Sequence, residues 1–270
     1  MSSLAPPRIT TTELGGAPPL PPLLVGPSLG TSVASLWGGV AARLSTRFHV
    51  IGWDLPGHGT NDRDSYGRFD MAALAVGVLR AVESHLAAAD VPSAPFGYAG
   101  DSVGGAVGLH LLLDAPDRLT GAVLASTGAR IGTPNAWTER AAKVRSGGTG
   151  ALVEGIGARW FAPGFAAQHP DVAARLTTGL RATSTSGYVA VCRALAHHDV
   201  GQRLAEIGQP VLAIAGGADL PTPVSDLREI ADGVKHGRLV VLPGVGHLPP
   251  VEAPDLVAEL IGDHFSPLTK

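Results

Sequence analysis

Gly100-Asp101-Ser102-Val103-Gly104-Gly105 sets a serine among glycines where one apolar run ends and another begins. Tyr98-Ala99 precedes it, and Ala106-Val107-Gly108-Leu109-His110-Leu111-Leu112-Leu113 follows. The pattern predicts a strand that turns abruptly into a helix with Ser102 at the apex. Such a turn strains the backbone of its apical residue, and only small neighbours tolerate it. The serine Oγ then stands at a helix N-terminus, where amide N–H groups and the helix dipole favour a developing anion. A serine hydroxyl is a poor nucleophile at its own pKa and needs a base within hydrogen-bond reach. His247, in the turn Gly244-Val245-Gly246-His247, can take that proton and return it to a leaving group. Asp219, in Gly217-Ala218-Asp219-Leu220, can hold the imidazole in one tautomer and stabilise its charged form. The backbone N–H of Val103 is one expected oxyanion donor. The N–H of Leu29, in Gly26-Pro27-Ser28-Leu29-Gly30-Thr31, is the expected second.

Other residues compete for these roles. Gly26-x-Ser28-x-Gly30 repeats the same spacing, but a weaker helical run broken by Gly38-Gly39 follows it. That loop suits a backbone donor better than a nucleophile. His58 sits in the Gly-flanked turn Pro56-Gly57-His58-Gly59 ahead of Ser102, which disfavours it as the base. Asp101 puts a carboxylate beside the serine in sequence. Its side chain points away from the apex in such a turn, so a structural role is expected. His197-His198-Asp199 has the residue types of a metal site, yet adjacent histidines on a helix diverge, and a solvated face is the better reading. Cys192 lies in an apolar run and reads as a small buried hydrophobe.

These residues need a scaffold. At 270 residues, 45% hydrophobic and 16% charged, the chain can bury a large core. Leu23-Leu24-Val25, Phe48 to Asp54, Phe96 to Ala99, Gly121 to Ser126, Pro210 to Gly217 and Arg238 to Leu242 read as strands, after a less regular first strand within 8–22. Helical patterns alternate with them, such as Met71 to Ala88 with its stripe Leu74, Val78, Leu79, Val82 and Leu86. The alternation predicts an α/β fold with a mostly parallel sheet covered by helices on both faces. It breaks between about Arg130 and Val200, where helical segments dominate. The expected organisation is a core of 1–130 and 201–270 with an inserted helical cap at 131–200.

A net charge of −3 gives no electrostatic argument for nucleic acid or an anionic membrane. One cysteine allows no internal disulfide, the N-terminal residues have no signal-peptide pattern, and no apolar run approaches about 20 residues. The expectation is a cytoplasmic enzyme without cofactor or metal that acts on a small molecule. The sequence does not set its oligomeric state.

The order Ser, Asp, His at successive strand ends is that of the α/β-hydrolases. Within them the chain resembles the 3-oxoadipate enol-lactonases of aromatic-compound degradation. The resemblance rests on Gly26 to Thr31, on Trp53-Asp54-Leu55-Pro56-Gly57-His58-Gly59, and on Gly100 to Gly105. It continues in Ala115-Pro116-Asp117-Arg118-Leu119, Arg130-Ile131-Gly132-Thr133-Pro134, Arg159-Trp160-Phe161 and Gly187-Tyr188. It implies that Ser102 opens a small carboxylated enol-lactone to a linear keto acid through an acyl-enzyme. Such a substrate carries a free carboxylate whose desolvation needs a cation. Arg130 or Arg159 is the expected receptor, with Trp137 or Trp160 against the ring. Asp101 and Val103 depart from the hydrophobic residue and Met common around the family serine. The same triad also serves other small carboxylester and C–C bond hydrolases and perhydrolases. A ligand sensor could retain it too, and sustained lactone turnover separates enzyme from sensor.

The two serine motifs are told apart by one comparison. Ser102→Ala should lose several orders of magnitude in kcat, as removal of a triad member does elsewhere. Ser28→Ala should keep most of its activity, within about tenfold of the parent, because its loop contributes a backbone group. An inactive Ser28→Ala beside an active Ser102→Ala reverses the assignment.

Overall fold

The computed structural model describes residues 4–62, 66–89 and 95–266. The edge strand β1 (Thr10–Gly15) is followed by β2 (Pro22–Gly26). Ser32 caps the next helix, α1 (Val33–Leu44), by accepting from the Ser35 N–H. After β3 (His49–Asp54) comes α2 (Met71–Ala88), capped by Asp70 on the Ala73 N–H. Then β4 (Phe96–Asp101) runs straight into α3 (Val103–Asp114), and β5 (Leu119–Ala125) follows. From there to the next strand the chain is helical: α4 (Pro134–Gly147), α5 (Val153–Trp160), α6 (Phe165–Gln168), α7 (Pro170–Ala182) and α8 (Thr185–Leu195). Alternation resumes with β6 (Pro210–Gly216), α9 (Val224–Gly233) and β7 (His236–Leu242). The short α10 (Pro249–Glu252) and α11 (Pro254–Phe265) come last.

The seven strands form one sheet in the order β1-β3-β2-β4-β5-β6-β7, and only β1 is antiparallel to its neighbour. Strands β2 to β6 are buried almost throughout, which is why their sequences read as unbroken apolar runs rather than alternating ones. All parallel strands end on one edge, so the turns after β2, β4, β6 and β7 meet there. Ser102, Asp219, His247 and the Leu29 loop all lie on these turns.

The edge strand is held by a three-residue clamp. Glu13 on β1 takes the buried His49 imidazole at 2.6 Å on one carboxylate oxygen and His85 of α2 at 2.9 Å on the other. The far nitrogen of His85 meets the Thr11 hydroxyl at 3.0 Å. These are metal-ligating residue types. Both carboxylate oxygens, however, already hold an imidazole at hydrogen-bond length, and the group acts as a clamp. Burial raises the Glu13 pKa, but the two histidines outweigh it and the net shift is downward.

By length and composition α2 is the one described helix that could cross a membrane, which the apolar runs of the sequence did not suggest. Here Leu74, Val78, Val82 and Leu86 are buried against the core, Leu79 is partly buried, and Arg80 faces water.

Segment 131–200 docks on the core with its glycines at contact. Gly187 on α8 lies against Gly57, which has φ +78°, and a Cβ on Gly187 would stand 2.4 Å from the Pro56 carbonyl oxygen. Gly187→Ala should therefore force the two apart and cost about 1–3 kcal/mol. For a chain of this size that is a Tm lower by roughly 2–12 °C. Gly179→Ala, inside α7 with open space at its Cβ, should be neutral or slightly stabilising. Thermal melts of the two variants decide; equal Tm values would count against this docking contact.

Candidate active site

Ser102 sits between the last residue of β4 and the first of α3 with φ +52° and ψ −114°. That region of backbone space strains any residue with a Cβ. Its own amide donates to the Ala125 carbonyl at 2.9 Å, and its carbonyl accepts from the Thr127 hydroxyl at 2.7 Å. The glycines around it are required by space. A Cβ on Gly100 would lie 2.4 Å from the Gly104 backbone, and one on Gly104 would lie 2.6 Å from the Gly26 carbonyl. The helix thus crosses the strand and the Leu29 loop at backbone contact, and the Gly104 N–H donates to the Pro27 carbonyl at 3.0 Å.

Three side chains from three strand ends meet in a line. Ser102 Oγ lies 3.0 Å from His247 Nε2, and His247 Nδ1 lies 3.0 Å from both Asp219 oxygens. With Nδ1–H donating to the carboxylate, Nε2 is free to accept from the serine. All three are buried to better than nine-tenths. Thr222 orients Asp219: its amide donates to Oδ1 at 3.1 Å and its hydroxyl to Oδ2 at 2.8 Å. Burial alone would raise the Asp219 pKa, but His247 and the Thr222 donors more than offset it and hold the carboxyl below its ordinary value. Asp219 is therefore ionised at neutral pH. The His247 turn is itself anchored. Its N–H donates to the Trp160 carbonyl at 3.0 Å, and Glu252 accepts from the Gly246 and Ala162 amides at 3.0 and 2.9 Å.

The two expected oxyanion donors lie on the Leu29 loop and at the start of α3. Val103 is the first helical residue, so its N–H has no acceptor within the helix. Leu29 lines the same cavity as Ser102 and His247. Asp54 holds this loop from behind, accepting from the Val33 N–H at 2.7 Å and the Thr60 N–H at 2.8 Å. Ser28 is buried and lines the cavity without contacting the imidazole.

Above the serine lies a cavity of about 150 Å³. Its floor is Ser102, His247 and Leu29; its walls are Ile131, Gly132, Pro221 and four larger side chains, Trp137, Arg140, Arg159 and Trp160. Both tryptophans expected to face substrate do line it. Arg159 does as well. Arg130 does not: it is 67% exposed and faces Asp199 at 3.8 Å. Its place is taken by Arg140 of α4. The sequence carried a signal for this, because Arg140 follows Trp137 by three residues and shares its helix face. The Arg140 Nε donates to the Tyr188 hydroxyl at 2.7 Å. Burial, and then the charge of Arg140, lower the pKa of Arg159. Among the described residues neither guanidinium has a carboxylate partner.

The other candidates fall elsewhere. His58 is fully buried, stacks on Tyr188 and gives one nitrogen to the Pro56 carbonyl; burial pushes its pKa down to about 4. His197 and His198 diverge as expected, but only His197 and Asp199 face water. His198 is buried with Nε2 at 3.1 Å from the Gly128 carbonyl. Cys192 is buried, which pushes its thiol up to about 12.

Known proteins share this arrangement over nearly the whole chain. The alpha/beta hydrolase family matches residues 21–260. A 3-oxoadipate enol-lactonase of Acinetobacter baylyi is 35% identical over 234 residues, covering 87% of this chain and 84% of the relative. A second enol-lactonase of that organism is 29% identical over 92% of this chain and 90% of its own length. The crystal structure of the Burkholderia xenovorans enol-lactonase superposes with a TM-score of 0.85 at 29% identity, covering 96% of this chain and 95% of that one. A thermophilic esterase of Thermogutta terrifontis with malate bound gives 0.85 at 27% identity, over 97% and 94%. With a family match spanning residues 21–260 and a relative 35% identical over 87% of its length, the chain belongs to the alpha/beta hydrolase family.

Proposed function

We propose that this enzyme hydrolyses 3-oxoadipate enol-lactone to 3-oxoadipate, with Ser102 as nucleophile, His247 as base and acid, and Asp219 as orienter. The observation that carries the reading is the pair Arg140 and Arg159 facing a small cavity above the serine. Two cations without a carboxylate of their own supply what a small anionic ring requires. The likeness to named enol-lactonases supports the same substrate.

The steps follow from the geometry. Ser102 Oγ loses its proton to His247 Nε2 and attacks the lactone carbonyl. The N–H groups of Leu29 and Val103 receive the oxyanion. Collapse breaks the ring C–O bond and releases an enolate, a better leaving group than an alkoxide, which His247 protonates. The enol becomes a ketone, and the carbonyl carbon stays on Ser102 as an ester. Water activated by His247 then frees the second carboxylate. Residues 131–200 act as the cap that confines the ring. Its partner in this scheme is the small lactone alone, and the net charge of −3 offers no attraction for nucleic acid or an anionic membrane. We place the reaction in the cytoplasm, where a free thiol such as Cys192 stays reduced.

Two measurements test this. Asp219→Asn keeps the shape of the group but cannot hold the His247 tautomer. It should lower kcat by about 10⁴-fold while leaving the melting temperature near that of the parent. A loss under tenfold would mean that Asp219 does not orient the base. For the carboxylate, kcat/KM of Arg140→Ala and Arg159→Ala is compared on the enol-lactone and on p-nitrophenyl acetate. A charge-assisted hydrogen bond is worth about 1.5–3 kcal/mol, so the lactone should suffer roughly 10- to 150-fold and the neutral ester little. Equal losses on both substrates would falsify carboxylate recognition by these two residues.

A further inference from the structure

Asp101 is the carboxyl group with the least support in the molecule. It ends β4, directly before Ser102, and is fully buried. Among the described residues neither of its carboxylate oxygens closes a hydrogen bond. The charged groups that face it are Asp219, after β6, and Glu252, on α10. Among the described residues no cation offsets the three carboxyls from behind: His247 is engaged with Asp219, and Glu252 holds only backbone amides. The one polar side chain turned toward Asp101 is Ser28, on the loop that presents the Leu29 N–H. An ionised carboxylate in this place has only the Ser28 hydroxyl to compensate its lost water. Burial first, then the charges of Asp219 and Glu252, favour its protonated form.

A neutral carboxylic acid is a hydrogen-bond donor, and a carboxylate is not. We propose that Asp101 is a positioning residue, which as a neutral acid donates its O–H to the Ser28 hydroxyl and so fixes the oxyanion loop against the strand that carries Ser102. The loop accepts further restraint from Thr31, whose amide and hydroxyl both bond the Ser28 carbonyl at 3.1 and 2.9 Å. Ser28 is thereby gripped at both ends, and Leu29 follows it in the chain. Ionisation of Asp101 reverses the effect. It adds a negative charge behind a site that must itself develop an oxyanion. This inference rests on the proposed catalytic role of Ser102.

The consequences have definite signs. Asp101 binds a proton in the folded state that the unfolded chain gives up near the ordinary carboxylate pKa of about 3.9. Above that pH the folded state holds more protons, so stability falls as pH rises until Asp101 itself ionises. Asp101→Asn keeps a donor and cannot ionise. With p-nitrophenyl acetate at pH 7, Asp101→Leu should lower kcat about three- to tenfold, as the loss of one hydrogen bond allows, with KM changed less than twofold. Asp101→Asn should recover most of that loss. In the wild type kcat should decline at alkaline pH, and in Asp101→Asn it should stay level there. Thermal melts from pH 4 to pH 8 should show the Tm of Asp101→Asn rising relative to wild type, a readout that needs no activity and survives if Asp101→Leu does not fold. An alkaline decline identical in wild type and Asp101→Asn, or a Tm difference constant with pH, overturns the proposal. Activity retained by Ser102→Ala would instead overturn the nucleophile assignment, and the melting series distinguishes that failure from this one.

Discussion

The backbone of Ser102 is the constraint on which the rest of the structure depends. A side chain at φ +52° costs on the order of 1–3 kcal/mol and persists only where neighbours over-determine it. The neighbours here are explicit. Ala125 and Thr127 hold the two backbone polar groups of Ser102, Tyr98 donates its hydroxyl to the Gly104 carbonyl at 2.6 Å, and Gly104 rests on Gly26. Each of these residues belongs to a different part of the sheet: β2, β4, β5 or the turn that leaves it. The nucleophile is therefore not a property of one loop. It is what remains when three parallel strands and a helix are packed closer than any Cβ would allow.

The same close packing creates an electrostatic burden. Asp54, Asp101, Asp219 and Glu252 are buried or largely buried around one strand edge. Asp219 is satisfied by an imidazole and two Thr222 donors. Asp54 and Glu252 are satisfied by backbone amides, at the start of α1 and on the His247 turn. Backbone donors suit this work because they are fixed by the fold and need no side-chain ordering. Glu252 gains a second use, since its two amides belong to the His247 turn and to residue 162. It couples the base to the segment that roofs the site. Trp160 makes the same connection from the other side, giving its carbonyl to His247 and its ring to the cavity.

How much of this was legible in the sequence depended on which interactions fix each element. The sheet was legible because buried parallel strands must be apolar throughout, and the runs at Leu23, Val50, Tyr98, Val123 and Leu212 are. Ser102, Asp219 and His247 were legible because each ends such a run, and the ends share one edge. Arg140 was legible only through its spacing from Trp137, and Arg130 was taken for it. Arg130 stands two residues after Gly128, near a strand end, where sequence reasoning looks for function. The orientation of α4 is a tertiary fact. It is set by Ala141 and Val144 packing inward and by Trp137 Nε1 reaching the Ile131 carbonyl at 2.6 Å. Arg159 was named from its place beside Trp160 in the family-like motif, and not from periodicity, which breaks in α5 where Glu154 and Gly155 leave helical geometry. His198 was assigned to a solvated face for a related reason: nothing local reveals that α8 ends against Gly128.

Segment 131–200 covers the cavity through geometry that its own sequence states poorly. Its approach to the core is limited by glycines: Gly187 against Gly57, and Gly30, whose Cβ would meet Leu180 at 2.8 Å and Trp160 at 3.2 Å. Removing those side chains lets two tryptophans and two guanidiniums descend to within reach of the serine. The resulting space, about 150 Å³, admits a small ring and little more. A small cavity also sharpens the electrostatics. Burial first, and then repulsion from Arg140, lower the pKa of Arg159. An anion that enters relieves this repulsion and gains two donors at once. A neutral ester of the same size gains neither. Under the proposed function, discrimination in favour of a charged lactone would follow from how closely segment 131–200 can sit, and the closeness is a matter of where side chains are missing.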